Sequence, residues 1–157
     1  MQTYRFTRNI VCCLAVFMAA ILWTSNNSLA FSLFSDGYES VTPKGGAVII
    51  PVDKVDDGDI HFYKLADNGK DIRFFLLQSN DGVVRAAFDA CDVCYESRKG
   101  YSLEGDFVRC NNCGMRFHSS RINVVEGGCN PAPLKRTRDD GSVRIQTADI
   151  LSGARFF

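Results

Sequence analysis

The chain reads as mainly β, a β-rich α+β fold in which an antiparallel meander leads into a cysteine-rich, double-knuckle metal-binding module. Three observations predict this. Short β-branched and aromatic stretches between residues 47 and 88 are separated by tight-turn sequences. Nothing before Cys91 sustains a helical period. The five cysteines beyond residue 90 all fall between Cys91 and Cys129, and four of them form two Cys-x2-Cys pairs.

Residues 1–30 read as a signal peptide or an N-terminal membrane anchor. Arg5 and Arg8 give a positive start, Ile10 to Trp23 form an uncharged apolar run, and Ser28-Leu29-Ala30 offers small residues for cleavage before Phe31. The run of 14 residues is shorter than the roughly twenty needed to span a bilayer, which favours cleavage. Cys12 and Cys13 lie inside it and read as small apolar fillers. The expected location is therefore exported: periplasmic, or anchored to the cell membrane through this segment. Residues 31–46, with Gly37 and Pro43, read as a connecting segment.

The domain proper is expected over residues 47–157. Ala47 to Val52 is β-branched and apolar. Asp59 to Leu65 and Ile72 to Gln78 flank Asp67-Asn68-Gly69-Lys70, a hairpin-turn sequence. Ser79-Asn80-Asp81-Gly82 makes a second turn into Val83 to Phe88, completing the strands at 47–88. The acidic stretch Asp53 to Asp59 lacks EF-hand spacing and reads as a solvated loop. In the cysteine module, 89–134, Gly100 to Leu103 and Phe107 to Arg109 surround Glu104-Gly105-Asp106 as a hairpin that returns the second cysteine pair to the first. A C-terminal strand and tail fill 135–157: Val143 to Thr147 reads as a strand, and Ala148 to Leu151 as a short turn capped by Thr147.

Charge excludes one class of partner. The formal net charge is zero, so there is no basic field of the kind that nucleic-acid binding uses. The charge is uneven, with twelve acidic against six basic residues from Phe31 to Glu96 and ten basic against six acidic from Ser97 onward. Hydrolytic and nucleotide chemistry find no support, since there is no GxSxG, no HExxH and no Gly-rich phosphate loop.

The cysteines run Cys91-x2-Cys94-x15-Cys110-x2-Cys113-x15-Cys129. Two intervening residues let both sulfurs of a pair reach one ion from a single tight turn whose backbone amides point at the thiolates. Gly114 accepts the positive φ such a knuckle needs. Four thiolates converging in this way suit zinc or iron. Disulfides are the competing reading for an exported chain, but five cysteines leave one over, and a Cys-x2-Cys bridge closes too small a loop to staple much. Haem attachment needs a histidine where Tyr95 and Gly114 stand. Cys129, between Gly127-Gly128 and Asn130-Pro131, is a fifth candidate ligand, and His61 and His118 are possible additional ones. Tyr95, Tyr101 and Phe117 lie where they would keep water from a centre.

Asp59 to Tyr63, Asp71 to Phe75, Phe88 to Tyr95, Gly100-Tyr101, Arg109 to Gly114 and Gly127 to Leu134 together resemble the FtrD-like membrane iron–sulfur proteins. The resemblance covers most of residues 47–157. It implies an iron–sulfur cluster or iron as cofactor, Cys91, Cys94, Cys110, Cys113 and Cys129 as the functional cysteines, and electron transfer to a membrane-bound redox or iron-transport protein rather than catalysis. Spacing alone favours zinc. The alternatives are therefore a structural-zinc assembly module, with a partner surface around His61, Phe62 and Tyr63, and a metallochaperone that uses Cys129 as its exchanging ligand.

Overall fold

The computed structural model describes residues 36–157. The expected signal or anchor, Cys12 and Cys13 lie outside the described residues, as do residues 31–35 of the connecting segment. In chain order the strands are β1 (Glu39–Ser40), β2 (Ala47–Pro51), β3 (Ile60–Asp67), β4 (Lys70–Gln78) and β5 (Val84–Phe88). The cysteine region carries β6 (Tyr101–Glu104), β7 (Phe107–Cys110) and β8 (Arg116–His118). After it come β9 (Thr137–Asp139), β10 (Ser142–Gln146) and a short helix, α1 (Thr147–Leu151).

The expected meander is the central sheet. β3, β4 and β5 pair antiparallel in sequence order. Asp67 opposes Lys70, so the first turn has only Asn68 and Gly69 in its loop, both at positive φ (46° and 78°). This is the geometry that Asn-Gly is suited to, because its twist matches that of the flanking strands. In the second turn, Asp81 takes the Val83 amide and pairs with Arg85 at 2.6 Å.

Side chains on a strand alternate between faces, so the unbroken run Phe74-Phe75-Leu76-Leu77 requires that both faces of β4 be covered. They are. Ile72, Phe74 and Leu76 join Tyr63, Leu65, Val84, Ala86 and Phe88 on one side, against Val48, Ile50, Val143 and Ile145 from β2 and β10. Phe75 and Leu77, with Ile60, Phe62 and Ala87, face the other way into a second core. That core is completed by Cys91, Tyr101, Val108, Cys110 and Ile122 of the cysteine region. The central sheet is thus the floor on which the cysteines are assembled. The largest of these side chains are wholly buried, each worth about 1.5–3 kcal/mol of burial.

Several features differ from the sequence reading. Within the expected connecting segment, Glu39 and Ser40 add a two-residue parallel strand beside Tyr63 and Lys64 of β3. β9 pairs with β10 through Asp140-Gly141, a two-residue hairpin signal the sequence does contain. β8 extends the cysteine hairpin to three strands. Thr147 does not cap the final turn. It is the first residue of α1, Gln146 stands at the cap position without a side-chain bond, and the buried Thr147 hydroxyl has no hydrogen-bond partner. After α1 a 3-10 turn brings Gly153 against Phe88, so that an added Cβ would lie 2.2 Å from the ring. Gly153→Ala should therefore destabilise the fold by about 1–3 kcal/mol, an overpacking cost read as a lower midpoint in thermal or urea unfolding.

Candidate metal centre

The chain delivers its cysteines to one place on three separate segments. Cys91 and Cys94 follow β5, Cys110 ends β7 with Cys113 in the turn to β8, and Cys129 arrives on the long loop before β9. All five are free thiols. The sulfurs of Cys91, Cys94 and Cys129 lie within 4.8 Å of one another, and so do those of Cys94, Cys110 and Cys113. Cys94 is common to both groups. Its sulfur is 3.8 Å from that of Cys129. An ion with metal–sulfur bonds of about 2.3 Å sets tetrahedral thiolates about 3.8 Å apart.

Each pair forms the expected knuckle. The Cys94 amide donates to the Cys91 sulfur at 3.2 Å. In the second pair the Cys113 and Asn112 amides donate to Cys110, and the Met115 amide to Cys113. Gly114 takes the positive φ required, 76°, and its amide reaches the Cys110 carbonyl at 2.9 Å. Cys91 and Cys110 are buried, Cys94 and Cys129 half-buried, and Cys113 exposed. Burial pushes the Cys110 thiol up to about 11 against the pull of its amide donors. Cys129 is pushed up to about 12, first by the adjoining Cys113 sulfur and then by burial. Cys113 moves down, chiefly because of the Met115 amide. Five thiolates this close repel one another, so the cage must share its negative charge with protons or with a cation. That donor set fits a soft metal or an iron–sulfur centre.

The two histidines stay outside the cage. His61 precedes Phe62 on β3 and so faces the opposite side of the sheet from the cysteine core; its Nε2 lies 2.8 Å from Asp57. His118 sits opposite Phe107, three residues down β7 from Cys110 and hence about 10 Å along the strand. Its ring packs edge-on against Phe107, and Nδ1 bonds Ser120 at 2.9 Å. Of the three aromatic residues, Tyr101 and Phe117 line the cysteine core, whereas Tyr95 packs on Phe156 in the other core.

One buried group beside the centre was not evident from the sequence. Asp89, two residues before Cys91, accepts the Tyr101 amide at 2.8 Å and the Tyr38 hydroxyl. Burial raises its carboxyl to about 6 despite these bonds and the nearby Arg73. The Arg73 guanidinium lies over the rings of Tyr38 and Phe157, 5.4 and 5.3 Å from their centroids.

The model of a family described as membrane iron-sulfur containing protein, FtrD-like, matches residues 55–157, well over half of the chain. The chain belongs to the FtrD-like family. The match takes in β3 to β5 and all five clustered cysteines, and the family's description agrees with the donor set. No curated protein matches. Among solved structures, the quaternary ammonium Rieske monooxygenase CntA in complex with inhibitor MMV12 is matched at a TM-score of 0.41 with 16% identity. The alignment covers 63% of this chain and 30% of that one, so the chain spans under a third of that protein's length. The FtrD-like family is described as a membrane one. Among the described residues no helix is long and apolar enough to cross a bilayer.

Proposed function

We propose that this chain is an exported or membrane-associated electron carrier, with an iron–sulfur or iron centre held by Cys91, Cys94, Cys110, Cys113 and Cys129, serving a membrane-bound redox or iron-transport protein. The observation that carries the reading is the meeting of two three-sulfur groups at Cys94, with backbone amides directed at the sulfurs. Membership of a family described as membrane iron–sulfur proteins supports iron over other soft metals. When bound, such a centre supplies reversible one-electron chemistry. The chain's own residues would do the rest. The amides of Cys94, Asn112, Cys113 and Met115 donate to sulfur and stabilise the extra negative charge of a reduced state. The core around Cys91 and Cys110 keeps water from the inner side. On the outer side Cys113 is exposed, and the apolar side chains of Val93 and Met115, 64% and 52% exposed, give a partner something to pack against close to the sulfurs. The domain that does this is taken as residues 47–157, with residues 1–30 providing export or anchorage.

Protein purified anaerobically from its native compartment should contain iron and acid-labile sulfide, and should show a visible sulfur-to-iron absorption that bleaches on reduction and returns on oxidation. A colourless protein with one zinc per chain would sink the electron-carrier reading. It would favour instead a structural-zinc assembly module, which the 3.8 Å separation of the Cys94 and Cys129 sulfurs also suits.

A further inference from the structure

The three cysteine-bearing segments have one residue in common. Through its backbone, Tyr101 is tied to two of them: its amide donates to Asp89, two residues before Cys91, and across β6–β7 it is the direct partner of Cys110. Neighbouring bonds reinforce that join, with the Asn111 amide on the Gly100 carbonyl at 3.0 Å and the Ser102 hydroxyl on the Asn111 side chain at 2.8 Å. The third segment meets the first through backbone only beyond Cys129, where the Ala132 amide donates to the Ala90 carbonyl at 2.9 Å and the Phe88 amide to the Ala132 carbonyl at 2.8 Å, and at Cys129 itself it is held by the Tyr101 side chain. The Tyr101 hydroxyl donates to the backbone carbonyl of Cys129 at 2.7 Å, and it also borders the Cys91 sulfur. The ring is buried and packs at a tilt against Phe75, 6.2 Å between centroids, so the hydroxyl is carried on a fixed arm from the central sheet.

Cys129 needs such an arm. It lies on a loop with little regular structure, after Gly127 and Gly128, which both take positive φ. Around it the amide of Asn130 and its side-chain nitrogen both turn back to the Gly127 carbonyl, which closes the loop on itself and not onto the other cysteines. We propose that Tyr101 is the positioning residue for the fifth thiolate: its hydroxyl holds Cys129 against Cys91 and Cys94, so that the centre is a five-sulfur site with a donor set adjusted through one hydrogen bond. The proposal rests on the metal-centre reading above only in assuming that the sulfurs act together, and it makes no demand for iron.

Tyr101→Phe is the test, because it keeps the ring and the strand pairing and removes only the hydroxyl. In the reduced, metal-free, full-length chain, iodoacetamide should alkylate Cys129 about tenfold faster in Tyr101→Phe than in the wild type, while Cys91 and Cys110 keep their rates. Faster alkylation of all three to the same degree, or of Cys91 alone, would overturn the proposal, as would an unchanged rate at Cys129. Cobalt(II) provides the second readout. Tyr101→Phe should shift the thiolate-to-cobalt absorption in the way Cys129→Ser does, and should add nothing in a Cys129→Ser background. Full effects from both changes in the double variant would show that the hydroxyl acts elsewhere and would also overturn the proposal. If the wild type gave no thiolate-to-cobalt band, the metal-centre reading would fall, and the alkylation rates would still decide the role of Tyr101.

Discussion

Cys94→Ser is expected to empty the centre, whereas Cys113→Ser should only weaken it. The difference follows from position. Cys94 is the single sulfur shared by the two three-sulfur groups, so its loss leaves each with two thiolates; Cys113 belongs to one group and is exposed. Structural thiolate sites bind with free energies of about 10–16 kcal/mol, so each of four ligands is worth roughly 3 kcal/mol, or about two orders of magnitude in affinity. Cys94→Ser should lower affinity by at least that factor, and by more if both groups are occupied. Metal analysis after dialysis against a chelator measures this directly. Equal metal retention by the two variants would mean that the Cys94 sulfur does not join the groups in the loaded protein. Because Cys91 and Cys110 are part of the core beneath the site, metal loss should also loosen β6 to β8, seen as faster amide exchange there than in β3 to β5.

Much of this architecture can be read from the sequence, and the unread parts share a physical cause. The central meander is written in β-branched and aromatic runs and in Asn68-Gly69, because local sterics alone dictate those choices. The Phe74-Phe75-Leu76-Leu77 run even tells that the sheet is covered on both faces. The knuckles are legible for the same reason: Cys-x2-Cys and Gly114 act within one turn. The strands that escape the reading are short and polar. Glu39-Ser40 and Arg116-Phe117-His118 have no alternating apolar signal and become strands only because a neighbour offers them a register. Asp89 escapes for a different reason. Its partners, Tyr38 and Tyr101, are 51 and 12 residues away, and nothing in the linear order ties an aspartate to either. Nor does spacing indicate that His61 and His118 point away from the sulfurs, since that depends on which sheet face the cysteine region covers.

Gly100→Ala should damage both the fold and the site, and by far more than alanine at other glycines in the same hairpin. Gly100 has φ +62°, a conformation that costs an L residue about 1–2 kcal/mol. Gly105 in the next turn has φ +57° and bears the same cost, but an added Cβ there meets nothing within 4 Å. At Gly100 the methyl would stand 2.1 Å from Oδ2 of Asp89 and 2.6 Å from its Oδ1 and Cγ. The carboxylate cannot simply swing aside, since it is buried and holds the Tyr101 amide on one oxygen and the Tyr38 hydroxyl on the other. Displacing it leaves the Tyr101 amide without its acceptor, a further cost of about 1–3 kcal/mol for a buried donor. Gly100→Ala should therefore destabilise by about 2–5 kcal/mol against about 1–2 for Gly105→Ala, both read from urea unfolding midpoints. The site should suffer with the fold, because Tyr101 reaches both Cys110 and Cys129 from this position. The excess should largely vanish in an Asp89→Ala background, where the added methyl meets no carboxylate. An undiminished excess there would place the cost in the backbone of Gly100 itself and would remove Asp89 as the brace between the first cysteine pair and the hairpin that carries the second.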